Sequence, residues 1–331
     1  MTDRMSAVHL VNRPVGFPEA TDFAFVDAPI PAVEPGTALV ENLYLSVDPY
    51  MRQLMDEVWA LGTPGEGRAI GRVVASDAPG LEAGDLVRHR NAWRTHALVR
   101  PEEVTVLRPH PGVPLSAHLG HLGNGTGLTA YVGLKRIAGL KRGETVFITA
   151  AAGGVGSAAG QIARVLGAER VIGSAGSPAK VRHLIDDLGF DAAFDYHDGP
   201  VAEQLAKAAP EGVDVCVEGV GGEHLEGAIA NLREFGRIAW CGAISGYHGE
   251  SQPVRNLALV QAQSARLEGY MVRHHLDAQD EMEALLVPRI RSGEVVADET
   301  VTEGFEHTVE AFLGMLRGEN LGKSLVHLHH A

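Results

Sequence analysis

The residues best suited to chemistry form one short run, Ala150-Ala151-Ala152-Gly153-Gly154-Val155-Gly156. It follows an apolar, β-rich stretch at 145–150 and precedes a helical pattern at 157–166, with Ala159, Ile162, Ala163 and Leu166 on one face. The spacing is that of a G-x-G-x-x-G fingerprint with Ala151 in the first glycine place. Gly153 lets the backbone approach a pyrophosphate, and Gly156 lets the helix pack closely on its strand. Gly154 and Val155 complete the loop before the helix, whose unpaired N–H groups and dipole favour an anion. The pattern points to a dinucleotide; the alternative is a tight strand-to-helix turn with no ligand.

The next strand, 170–174, ends in Gly173-Ser174-Ala175-Gly176. An NAD site usually places an acid here for the ribose 2′-OH. None is present, which permits a 2′-phosphate. Ser177 is expected as N-cap and Pro178 as the first residue of a helix over 178–188, with Lys180 in its first turn. A cation there opposes the helix dipole by about 0.3–1 kcal/mol, a penalty that a bound phosphate would reverse. Lys180 is otherwise an ordinary solvated lysine.

Other candidate chemistry is weaker. Sixteen histidines raise the question of a metal. They include local groups at His118 and His121, His274 and His275, and His327, His329 and His330. No carboxylate or cysteine completes a tetrahedral set in sequence, so solvated surface histidines are expected and no metal residue is assigned. Cys216 and Cys241 each lie in an apolar run and read as small buried hydrophobes in a reducing, cytoplasmic setting. No G-x-S-x-G nucleophile elbow occurs.

The elements around these residues change character near 120. Before it, short β-rich runs at 37–47, 69–76, 85–89 and 95–100 alternate with Gly/Pro turns, as in a small antiparallel sheet. After it, strands at 145–150, 170–174, 191–196, 213–220 and 237–245 alternate with helices, which implies a parallel sheet covered on both faces. From about 295 a helical run and a strand-like run, SLVHLHH, return to the first texture. The expected division is 1–120 with 295–331, and 121–294. The net charge of −14 argues against nucleic acid and anionic lipid as partners. No apolar run reaches 18 residues, and the N-terminal residues have no signal-peptide core.

With these segments in hand the chain resembles the medium-chain dehydrogenase/reductase superfamily. The similarity is to its zinc-free branch of leukotriene B4 12-hydroxydehydrogenase/prostaglandin reductase and related alkenal and curcumin reductases. It is carried by LSVDPYMR (45–52), GLTAYVGL (127–134), AAGGVGSAAGQIAR (151–164), GSAGSPAKVRHL (173–184), LGFDAAFDY (188–196), CGAISGY (241–247) and RGENLGKSLV (317–326). It implies an α/β fold, with a doubly wound Rossmann domain plus a GroES-like β-rich catalytic domain. It also implies NADPH as hydride donor to an enone or enal. Lys180, Tyr196 and Ser177 would hold the 2′-phosphate. Thr129 and the Cys241–Ser245 segment, including Ala243, would border the nicotinamide, and Asn320 and Gly322 would close the site.

Two positions depart from the family pattern. Asn124-Gly125-Thr126-Gly127 replaces a Gly-Met-Pro-Gly turn, and Arg273 stands where several relatives carry a tyrosine. Tyr50, Tyr247 and Arg273 remain as candidate groups for the developing enolate. Zinc-dependent relatives carry Gly-His-Glu where this chain has Gly65-Glu66-Gly67-Arg68, so no catalytic zinc is expected. A homodimer is expected, paired through the run 266–272. A quinone reductase and a non-catalytic dinucleotide-binding protein are the competing readings.

Overall fold

The computed structural model describes residues 4–249 and 252–329. The chain divides into two compact units. One comprises Met1–Leu119, Thr300–Asn320 and Ser324–Ala331; the other comprises Gly120–Glu299 and Leu321–Lys323.

The second unit is built on a six-stranded sheet. Its spatial order is Ala192–Asp195, Arg170–Ala175, Thr145–Ile148, Val213–Glu218, Leu232–Trp240 and Arg266–Gly269. Adjacent strands pair in parallel. Numbered along the chain, that order is 3-2-1-4-5-6, the doubly wound Rossmann arrangement. Parallel strands need crossovers, and the helices Gly154–Val165, Pro178–Asp186, Val201–Ala208 and Gly222–Ala230 supply four of them. Phe147, Ile172, Cys216 and Ile238 of the strands form one core with Leu205, Leu225 and Ile229 of the helices. The first helix is lined with small residues, and the ring of Phe190 occupies the space that a side chain at Gly160 would need.

In the first unit, Ala38–Ser46 is the hub of a mostly antiparallel sheet. It pairs with Ala69–Ser76 and His96–Val99, and with Lys323–His327 from the other end of the chain. A separate antiparallel ribbon, Arg4–Leu10 with Phe23–Pro29, was not anticipated from the sequence. Its apolar face meets an aromatic core. The Phe23 ring stacks on Trp93 at 5.8 Å, Trp59 meets Trp93 edge-on at 5.0 Å, and Phe312 of the helix Thr308–Leu316 meets Trp93 edge-on at 5.3 Å. Among the described residues no helix is long and apolar enough to cross a membrane.

Two sequence expectations need correction. The helix expected from 157 begins at Gly154, because Gly153 is already an extended N-cap (φ −93°, ψ 176°). The expected surface histidines at His118 and His121 are buried, at 2% and 0% exposure. His121 has Gln161 Nε2 at 3.1 Å, and burial pushes its pKa down to about 4.

Candidate dinucleotide-binding site

The strand Thr145–Ile148 delivers the chain to a turn in which Ala150 takes a left-handed φ of 46°. The first helical bond runs from the Ser157 amide to the Gly153 carbonyl, 2.8 Å. The amides of Gly154, Val155 and Gly156 are therefore left without intrahelical acceptors at the positive end of the helix. The glycines are there for space. A Cβ on Gly156 would sit 2.6 Å from Ala151 Cα, and one on Gly154 would lie 3.2 Å from both the Lys323 side chain and Thr126 Cγ2. The Asn124–Gly127 turn that departs from the family pattern thus packs beside the glycine loop.

Pairing of Asp195 with Ala175 sets Tyr196 beside Gly176, one residue past each strand. A Cβ on Gly176 would lie 3.1 Å from the Tyr196 hydroxyl, so the ring covers the glycine. Tyr196 is held by ring contacts with His197 and His224. Ser177 caps the helix Pro178–Asp186, its hydroxyl accepting from the Lys180 amide at 3.3 Å. Lys180 is partly buried, and desolvation lowers its pKa. Asp195, the acid just before Tyr196, accepts from the His197 amide at 3.1 Å and lies within 2.9 Å of its Nδ1, so it is already engaged. Ser177, Lys180 and Tyr196 thus lie at the carboxyl ends of two neighbouring strands, Arg170–Ala175 and Ala192–Asp195.

Two loops at the carboxyl ends of the next strands brace each other. Ser245 Oγ donates to the Val220 carbonyl at 2.6 Å, and the Ile244 amide donates to Gly219 at 3.1 Å. A Cβ on Gly221 would touch Ala243, and one on Gly242 would lie 3.4 Å from the Tyr247 hydroxyl. Beneath them Glu218 is completely buried. Its Oε1 accepts from the amides of Val220 and Gly221, both at 2.6 Å, while Oε2 has no partner. Burial pushes its pKa up to about 7.

The Cys241 thiol donates to the Glu218 carbonyl and is pushed up to about 12 by burial. Tyr270, unmarked in the sequence, donates from its hydroxyl to the Thr129 carbonyl at 2.7 Å and lies beside the Cys241 thiol. Thr129 and Cys241 are thus brought together through Tyr270.

Gly322 reaches the glycine loop directly, its amide donating to the Ala152 carbonyl at 2.9 Å and forming a bridge with Gly153. It has a left-handed φ of 59°, and a Cβ would collide with Asp298. Asp298 in turn accepts from the Lys323 amide and meets His183 Nε2 at 3.2 Å. Asn320 falls in the other unit.

Tyr50 also lies in the first unit. Its hydroxyl donates to Glu66 Oε1 at 3.0 Å, and Arg90 grips the same carboxylate at 2.7 Å. Glu66 occupies the segment compared with Gly-His-Glu and is committed to these two partners. Arg273 is exposed, with its Nε 3.3 Å from His274 Nε2.

Comparisons with known proteins agree with this architecture. A family model described as the N-terminal domain of oxidoreductase matches residues 6–107, and one described as zinc-binding dehydrogenase matches 154–290. Prostaglandin reductase 1 of Bos taurus is 41% identical, covering 94% of this chain and 95% of its own. The NADP-dependent 2-alkenal reductase of Nicotiana tabacum is 36% identical, covering 96% of each. The crystal structure of CurA from Vibrio vulnificus in complex with NADPH superposes with a TM-score of 0.91 at 33% identity, covering 98% of this chain and all of that one.

Proposed function

Because the chain belongs to the medium-chain dehydrogenase/reductase superfamily, in the branch of the prostaglandin and 2-alkenal reductases, we propose that it reduces the carbon–carbon double bond of α,β-unsaturated ketones and aldehydes with NADPH. The observation that carries the cofactor choice is the phosphate corner. Tyr196 covers Gly176, Lys180 stands in the first turn of the helix that follows it, and the adjacent acid, Asp195, is engaged with His197. Gly153, Gly154, Val155 and Gly156 would hold the pyrophosphate, and Ser177, Lys180 and Tyr196 the 2′-phosphate. Thr129, Cys241, Ala243 and Ser245 would border the nicotinamide, with Gly322 closing the site.

When bound, NADPH supplies a hydride to the β-carbon of the acceptor. The residues must then stabilise negative charge on the carbonyl oxygen. We assign that role to the Tyr247 hydroxyl. Burial raises its pKa, so it stays protonated and able to donate. Tyr50 directs its own proton to Glu66 and fits a positioning role better than a donor role. Arg273 is the cationic alternative for the same oxygen. Water delivers the proton to the α-carbon. A tyrosine donor would serve where other enzymes use a Lewis acid, and this reading needs no zinc.

The free thiols Cys216 and Cys241 suit a reducing cytoplasm. The strand Arg266–Gly269 ends the sheet, and we propose that this edge pairs between two copies to form a homodimer. NADPH oxidation against a panel of enones, enals and quinones, with product analysis, tests the reading. Saturated ketones or aldehydes as products support it. Turnover of quinones alone, or of nothing in the panel, overturns it.

A further inference from the structure

At the end of the chain three side chains converge that sequence spacing kept apart. Glu303 ends the strand Glu299–Glu303, and His327 ends Lys323–His327. The Gly304 amide donates to the His327 carbonyl at 2.9 Å, fixing the two side by side. His329 lies two residues on. Leu328, between the histidines, is buried, and its amide donates to Leu43 at 2.9 Å. The chain therefore stays extended there, and alternation puts both imidazoles on one face. His327 Nδ1 lies 2.8 Å from Glu303 Oε2, and His329 Nε2 lies 2.7 Å from the same oxygen. All three atoms fall within 4.8 Å of one another. Tyr44 stacks on the His327 ring at 4.5 Å and fixes its plane. This corrects the sequence expectation that no carboxylate completes a set with these histidines.

We propose that Glu303, His327 and His329 form a binding site for a divalent transition-metal ion of the zinc, nickel and copper class, separate from the dinucleotide site. Two imidazole nitrogens select against magnesium and calcium, which prefer all-oxygen shells. Bonds of about 2.0–2.2 Å would set tetrahedral ligand atoms roughly 3.4 Å apart, with water as fourth ligand. The present separations must open by roughly half an ångström or slightly more to reach that spacing. Glu303 and His329, more than half exposed, can adjust to this while His327 stays pinned under Tyr44. The net charge of −14 favours cations over the whole surface. Bound metal would clamp the last strand to Glu299–Glu303.

The test uses the full chain, without an affinity tag and stripped by chelation. Zn²⁺ binding is measured by calorimetry, and Co²⁺ binding by visible absorption. Wild type should take one equivalent, give the intense visible bands of tetrahedral cobalt, and melt higher with Zn²⁺. Glu303→Gln and His329→Ala should each weaken binding at least tenfold and abolish the thermal shift, leaving enone reduction unchanged. His330 lies outside the described residues, and His330→Ala should bind as wild type does. Affinity unchanged in Glu303→Gln and His329→Ala, or lost only in His330→Ala, would overturn the site.

Discussion

Gly322 donates its amide to Ala152 across the mouth of the glycine loop, at 2.9 Å, from a backbone conformation that a side chain would strain. A Cβ there would lie 2.6 Å from Asp298 Cγ and closer still to its backbone. Gly322→Ala should therefore lift the strap off the loop. Left-handed strain costs about 1–3 kcal/mol, so NADPH affinity is expected to fall roughly tenfold and the melting temperature to drop. Fluorescence titration and thermal melts check both; a variant that binds and melts like wild type removes the strap from the cofactor site.

Lys180 can be separated from an ordinary surface lysine because its two effects have opposite signs. It opposes the dipole in the first turn of its helix, so Lys180→Ala should leave the cofactor-free protein as stable or slightly more so, by up to about 1 kcal/mol. The same change should weaken NADPH by about 1.5–3 kcal/mol and leave NADH untouched. Equal losses for both cofactors would refute the phosphate assignment.

Single-turnover hydride transfer to an enone distinguishes the two tyrosines. A main donor to developing charge is worth about 2.7–4 kcal/mol. Tyr247→Phe should slow the step by less than that, roughly thirtyfold, because a ribose hydroxyl of bound cofactor would share the oxygen. Tyr50→Phe should change it by no more than about threefold, since that hydroxyl already serves Glu66. The reverse order would exchange the roles.

Glu218 makes stability depend on pH in a defined direction. Its folded pKa, about 7, lies above the value of an unfolded glutamate, so between those values the native state binds more protons. Stability should thus fall as pH rises from about 4.5 to 7 and level off above, by an amount on the order of 3 kcal/mol. Glu218→Gln keeps an oxygen for the Val220 and Gly221 amides and should erase that slope. Buried histidines such as His121 and His224 act in the opposite sense, which the comparison with Glu218→Gln cancels. Parallel denaturation curves for the two proteins across this range would mean that Glu218 does not titrate there.

The sequence spoke clearly where the determinants are local. The glycine loop, Ser177 and Lys180 each sit within one strand-to-helix unit, and spacing alone places the turn, the N-cap and the first helical turn. The register that places Tyr196 on Gly176 needs only two neighbouring strands. Legibility ended where distant segments meet. The partner of Tyr50 is Glu66, from another loop, and nothing in VDPYMR announces it. Tyr270 reaches Thr129 from the far side of the Rossmann sequence. His118 and His121 look polar in a list and are core residues in space. Glu303 joins His327 and His329 only through strand pairing.

The strap also sets an order of events for the folding chain. Ala152 and Gly322 are separated by about half the polypeptide, and both Thr300–Asn320 and Ser324–Ala331 belong to the other unit. Closing so long a loop is entropically expensive, and contacts of that range form late. The Rossmann sheet can assemble from its own consecutive units well before three residues from the tail arrive to roof its glycine turn. Full nucleotide affinity should then trail secondary structure during refolding, so that a tightly held cofactor certifies a chain that has finished threading.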